Sequence, residues 1–218
     1  MSSDNPKGAV FAAVAEVGKA LGNAHRLEIL EMLGQGERSV EALAERVSLA
    51  VANASQHLRL MQRAGLLASR RDGKRVLYRV SEASVIELVT ALQRVAEKNL
   101  AGVRAVIGGY FRDRDALEAV SRKELTRRLK DGLVTVLDVR PQDEYESGHL
   151  PTAINIPLRD LSGRLREIPK SREIVAYCRG PYCVLAFEAV ALLRERGFKV
   201  RRLEDGYPEW KAAGLPVE

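Results

Sequence analysis

The chain has 218 residues, 46% of them hydrophobic and 29% charged, enough for one or two soluble domains with buried cores; no apolar run reaches the roughly 20 residues of a membrane span. Two cysteines exclude a disulfide framework, and three widely spaced histidines (His25, His57, His149) form no zinc pattern, so neither a metal nor another cofactor is expected. A net charge of +6 permits nucleic-acid binding without establishing it.

The stretch Met1-Ser2-Ser3-Asp4-Asn5-Pro6 has none of the features of a signal peptide, so a cytoplasmic location with no membrane contact is expected by default. From Val10 onward, Val14, Val17 and Leu21 are spaced like a helix face, and Leu27, Leu30 and Leu33 like a second, ended by Gly34-Gln35-Gly36. Ser39 caps a third helix, with Glu41 in its first turn. Ser48–Ala50 make a tight connection to a fourth, Val51 to Ala64, which turns Leu58 and Met61 inward and is stopped by Gly65. Two strand-like runs then flank Asp72-Gly73, a strong hairpin signal. Ser81 is expected to cap a long helix through Val85, Leu88, Leu92, Val95 and Leu100 that continues toward Phe111.

This order of elements reads as a mainly α winged helix-turn-helix with a β-hairpin wing. Its fourth helix would enter the major groove, with Asn53, Ser55, Gln56 and Arg59 able to reach base edges or phosphates. Arg70, Arg71, Lys74 and Arg75 cluster around the hairpin tip, where they suit phosphate or minor-groove contact. The segments Ala20–Leu30, Ser55–Met61 with Ala64–Leu67, and Arg71–Tyr78 together resemble the opening, recognition helix and wing of ArsR-type repressors. That resemblance, over roughly residues 10–105, implies a homodimer joined through its first and last helices. It also implies a palindromic double-stranded operator and repression relieved by an inducer. The chain departs from the metal-sensing members: Glu45–Asn53 holds no cysteine and the helix after Ser81 no histidine. In this setting His25 and His57 read as packing or phosphate-contact residues.

The charged seam Arg112-Asp113-Arg114-Asp115 reads as a domain boundary, dividing residues 1–112 from 113–218. Beyond it, strands alternate with helices: a helix from Ser121, the strand Val134–Arg140, the short run Ala153–Pro157, the strand Ile174–Tyr177, a helix near Val184, and Lys199–Leu203. The alternation predicts an α/β parallel sheet with helices on both faces, whose ligands sit beyond the carboxyl ends of strands. Cys178 stands at such an end. It opens the loop Cys178-Arg179-Gly180-Pro181-Tyr182-Cys183 before a helix starting near Val184. Loop N–H groups and a helix N-terminus converging on its sulfur are expected to lower the thiol pKa and make a nucleophile.

Leu137-Asp138-Val139-Arg140, Glu144-Tyr145, Gly148–Pro157 and the C-terminal Asp205-Gly206-Tyr207, Trp210 and Gly214-Leu215-Pro216 resemble a single rhodanese domain over roughly residues 115–217. The resemblance implies persulfide transfer at Cys178. A small sulfur donor, thiosulfate or a persulfide, is attacked at its outer sulfur. The persulfide is held by N–H groups from Arg179 through Val184, and its terminal sulfur passes to a thiol or cyanide acceptor. Arg179 is a candidate for adding positive charge, or else a surface arginine pointing away. Asp138 and Arg140 read as structural supports behind the loop. Val184 directly after Cys183 disfavours the longer oxyanion loop of phosphatases. Cys183 reads either as a small buried residue at a helix start or as a resolving thiol.

Together the halves predict a transcriptional regulator, in sign a repressor, whose rhodanese-like domain senses or transfers sulfane sulfur. The alternative is a sulfurtransferase that the winged helix targets or dimerises.

Overall fold

The computed structural model describes residues 5–112 and 119–218. The chain falls into two compact units, Met1–Ile86 and Glu87–Glu218, divided within a helix. The seam expected at the boundary lies, from Asp113 onward, outside the described residues.

In the first unit, helix α1 (Pro6–Leu21) is capped by Asn5, whose side chain accepts the Gly8 N–H at 2.9 Å. Asn23 caps α2 (Ala24–Gly34) in the same way. Strand β1 (Arg38–Ser39) runs into α3 (Val40–Arg46), where Ser39 Oγ accepts the Ala42 N–H at 3.3 Å. These caps satisfy first-turn donors that would otherwise lack intrahelical partners. Helix α4 (Val51–Arg63) follows and is closed by Gly65 at φ +77, a conformation that costs glycine least. Ile29, Leu30, Leu43, Ala54, Leu58 and Met61 are buried in the core of this unit. Strands β2 (Leu67–Asp72) and β3 (Arg75–Val80) pair antiparallel with Asp72 opposite Arg75, so Gly73-Lys74 is a two-residue turn. Strand β1 pairs antiparallel with β3 and completes a three-stranded sheet.

Helix α5 (Ala83–Asn99) begins two residues after Ser81. Ser81 does not cap it as expected. Its hydroxyl donates instead to the carbonyls of Gly65 and Leu66, at 2.8 and 3.1 Å, pinning the hairpin exit to the end of α4. The helix also does not run unbroken to Phe111. Leu100 leaves helical geometry (φ −101, ψ 114), α6 (Ala101–Val106) restarts, and a π-helical stretch covers Ile107–Arg112.

The second unit continues with α7 (Arg122–Lys130), β4 (Val134–Asp138), α8 (Gln142–Glu146), β5 (Ile154–Asn155) and α9 (Leu158–Leu161). It ends with β6 (Glu173–Tyr177), α10 (Val184–Glu195), β7 (Val200–Arg202) and α11 (Tyr207–Ala212). The sheet is parallel throughout, in the order β5-β4-β6-β7. Alternate residues of its central strands enter different cores. Ile174, Ala176 and Cys178 pack with Leu137 against Ala186, Ala189, Val190 and Leu193 of α10. Val175 and Tyr177 pack with Val134 and Val136 against Leu125 of α7 and Trp210 of α11. Burial on both faces explains why β6 carries no polar alternation. It also fixes where the strand releases the chain into the cysteine loop.

Candidate functional site

Strand β6 ends at Tyr177, and Cys178 begins the loop between it and α10. The base of the loop is held from the opposite side, where the Tyr207 N–H donates to the Cys178 carbonyl at 3.1 Å. Gly206, just before it, lies so close to Arg179 and Gly180 that a Cβ there would strike their backbone. Within the loop, the Cys183 N–H donates to the Gly180 carbonyl at 3.1 Å. That N–H therefore does not face the sulfur. The backbone N–H groups of Gly180 and Ala186 favour the anionic form of Cys178. Of the remaining loop positions, Pro181 and Tyr182 are half-buried and Val184 is exposed.

The sulfur is buried, with only 1% of Cys178 exposed, and its thiol lies within reach of the carbonyls of Cys183 (3.4 Å) and Gly180 (3.8 Å). Burial pushes the thiol pKa well above its ordinary value, and a hydrogen bond with the Cys183 side chain pushes it further. The Gly180 and Ala186 N–H groups act in the opposite direction but do not outweigh burial. The expected lowering is thus reversed. Cys178 lies beside a second sulfur, and no disulfide joins the two.

Arg179 does not take the role of holding an anionic donor. Its guanidinium makes a bidentate pair with Glu144 of α8, Nη2 to Oε1 at 2.7 Å and Nε to both oxygens near 3 Å. The Glu144 side chain is 1% exposed, so this charge is neutralised at a buried carboxylate. Behind the loop, the buried Asp138 carboxylate accepts from Arg140 Nε and Nη2, from the Arg140 backbone N–H and from the Tyr177 hydroxyl. Arg140 Nη2 also donates to the Gly148 carbonyl at 2.9 Å, and its guanidinium lies over the Tyr207 ring. Burial, with Asp138 second, keeps the Tyr177 hydroxyl neutral and a donor.

Two partners of the loop carry no local sequence signal. Glu144 lies 35 residues from Arg179 and Glu97 lies 85 residues from Tyr182. The Tyr182 hydroxyl donates to Glu97 Oε2 of α5 at 3.0 Å, and burial with this bond raises its pKa to about 12. For Gly206 a signal existed: it is the glycine of the Asp205-Gly206-Tyr207 block singled out in the sequence.

In the first unit, Asn53, Gln56 and Arg59 are exposed on α4 and Ser55 is half-buried beside them. Lys74 lies in the hairpin turn, Arg71 and Arg75 on the strands beside it, and all three are exposed. Arg70 differs from this group, because its Nε donates to Glu37 at 2.7 Å, leaving its charge already paired. His25 and His57 face each other with ring centroids 6.2 Å apart. Among the described residues, no cluster of three or more His, Cys, Asp or Glu is arranged to hold a metal, and no helix is long and apolar enough to cross a membrane.

Comparison with known proteins matches residues 121–213 to the rhodanese-like domain and residues 21–70 to a helix-turn-helix domain. The HTH-type transcriptional regulator Rv0324 of Mycobacterium tuberculosis is 46% identical over 97% of this chain and 93% of its own length. A sulfurtransferase of Allochromatium vinosum is 33% identical over 45% of this chain and 92% of its own. The solution structure of the homodimeric winged helix-turn-helix DNA-binding domain of Mb0332 from Mycobacterium bovis is 39% identical, covering 47% of this chain and 94% of that one, with a TM-score of 0.43.

Proposed function

The chain belongs to the HTH-type transcriptional regulators and carries a C-terminal rhodanese-like domain, and from that premise we propose an ArsR-type homodimeric operator-binding repressor whose Cys178 takes up sulfane sulfur and alters DNA binding. The observation that carries this reading is a buried thiol at a strand end, facing two backbone N–H groups and a second thiol, in the same chain as a basic wing. In uptake, the Cys178 sulfur attacks the outer sulfur of a persulfide R–S–SH. The donor S–S bond breaks, R–SH leaves with the proton, and Cys178–S–SH remains. No net oxidation occurs. Cys183 then attacks the Cys178 Sγ, forming a Cys178–Cys183 disulfide and releasing hydrogen sulfide. The same two sulfurs thus store the signal as a persulfide or a disulfide.

Burial favours a sensor over a turnover enzyme. A thiol only 1% exposed is reached by a donor only when the loop gives way, which limits cycling more than it limits a single stoichiometric event. Dimerisation is supported by apolar residues left exposed on two helices of the described chain: Val10, Phe11 and Val14 of α1, and Leu88, Leu92 and Val95 of α5. Such stripes mark contact surfaces. The test is operator-length DNA binding by reduced protein, repeated after treatment with a persulfide donor, with intact mass recorded. Sulfur added at Cys178 together with a change in DNA affinity supports the switch. Sulfur added without that change makes the winged helix a targeting module and the protein a sulfurtransferase.

A further inference from the structure

The loop's own arginine is paired with Glu144, so an anionic sulfur donor finds no spare charge there. Positive charge is concentrated nearby on the connecting helices. A concavity of about 420 Å³ is lined by Arg94, Glu97 and Lys98 of α5, Arg104 of α6 and Ile107. Arg94 and Lys98 are one helical turn apart and share a face. The break at Leu100 brings α6 back far enough for Arg104 Nη1 to donate to the Lys98 carbonyl at 2.6 Å, which fixes the third cation beside the first two. Among the described residues that line it, three cations meet one carboxylate, Glu97, which accepts the hydroxyl of Tyr182. Tyr182 immediately precedes Cys183 and is four residues from Cys178, so its side chain links the cysteine loop to the carboxylate of the concavity.

We propose that this concavity is the donor subsite, binding the phosphate or carboxylate groups of an anionic low-molecular-weight thiol persulfide whose sulfane sulfur is passed to Cys178. The identification of the ligand as a persulfide rests on the function proposed above; the anion site itself does not. Charge at Arg94, Lys98 and Arg104 recognises the polyanionic part, and Ile107 offers a short apolar wall for its carbon chain. The bond from Tyr182 to Glu97 ties occupancy to the loop, because an anion seated on Arg94 and Lys98 sits beside the carboxylate that holds Tyr182. The subsite therefore selects the donor and lies on the helix that leads back to the winged-helix unit.

The test uses the full chain and three persulfides: of coenzyme A, of glutathione, and of N-acetylcysteamine. The last repeats the reacting end of coenzyme A without its phosphates. Cys178 persulfide formation is followed by intact mass. In Arg94→Gln/Lys98→Gln, which leaves the Arg104 bond in place, the rate with the two anionic donors falls about tenfold or more, while the neutral donor loses less than about twofold. The wild-type rate with anionic donors falls as salt is raised, and the neutral rate does not. Whichever anionic donor loses more identifies phosphate or carboxylate as the recognised group. In parallel, calorimetry on Cys178→Ser measures coenzyme A binding, which the double variant should weaken by a similar factor. Equal losses for all three donors, or no loss for any, overturns the subsite. Binding of coenzyme A lost in the charge variant, with no sulfur taken up by wild type, leaves the subsite standing and refutes the persulfide chemistry instead.

Discussion

The winged-helix unit and the rhodanese-like unit hold their chemistry at opposite extremes of exposure. Asn53, Gln56, Arg59, Arg71, Lys74 and Arg75 stand in solvent on one helix and one turn, whereas Cys178 is buried among two backbone donors, two carbonyls and a second thiol. On the exposed face each side chain keeps its intrinsic properties, and effects of neighbours are screened within about 10 Å at 0.1 M salt. In the buried loop the surroundings decide. The thiol shifts opposite to what its strand-end position suggests, and Arg179 is neutralised by a carboxylate from another element. Exposed sites are assembled from residues; buried sites are assembled from networks.

Substitutions can break that contrast, and the largest effect is expected at the sulfur. Cys178→Ser should abolish the added-sulfur mass and, with it, any donor-dependent change in DNA affinity, while DNA binding by the untreated protein stays as it is. If donor still changes DNA binding in this variant, the buried loop is not the sensor. Next comes Gly206→Ala, whose methyl meets the backbone of Arg179 and Gly180. Overpacking of this kind costs about 1–3 kcal/mol, so a lower melting temperature with slowed uptake is expected. An unchanged melting temperature would mean that the loop gives way more easily than its packing suggests.

On the exposed side, Arg71→Gln/Lys74→Gln/Arg75→Gln should weaken operator and random DNA alike. The dependence of log K on log salt should flatten by about one for each phosphate that is no longer neutralised. A change confined to one DNA sequence would reassign these residues to base reading. Arg70→Gln should do less than any one of them, since Glu37 already holds its charge. A larger effect at Arg70 would mean that the pair opens on DNA.

The smallest effect expected is a shift in a pH profile. With the Cys178 pKa raised, alkylation by iodoacetamide should climb with pH beyond the ordinary thiol range near 8.5. Cys183→Ala removes one raising partner, so its profile should move toward lower pH, although burial remains. Stability follows the same sign. The neutral thiol's contribution is complete below the unfolded pKa and is lost as pH rises through the higher folded one. An unmoved profile in Cys183→Ala would leave burial as the whole cause.

Legibility from sequence tracks the same division. Ser39 and Gly65 act within a few residues of themselves, and each sits in the cap or stop its local chemistry demands; the hairpin is where Asp72-Gly73 signals it, but its turn is Gly73-Lys74, one residue later, with Asp72 paired in β2. The alternation of strands and helices likewise specifies a parallel sheet, because burial on both faces is written in the composition of β6. What local patterns did not reveal was decided at a distance. Arg179 meets Glu144, Tyr182 meets Glu97, and Ser81 turns back to Gly65 instead of forward into α5. The break at Leu100 had no glycine or proline before it to announce it.

Helix α5 belongs to neither half cleanly. Its first residues fall with the winged helix and the rest with the sulfur domain, and Glu97 on its last turn receives the loop tyrosine. For anyone grafting this sulfur chemistry onto a different DNA reader, the crossover point matters. A splice at residue 113 would hand Glu97, Arg94 and Lys98 to the discarded partner, so a working chimera should join before Glu87 and carry the helix with its cargo.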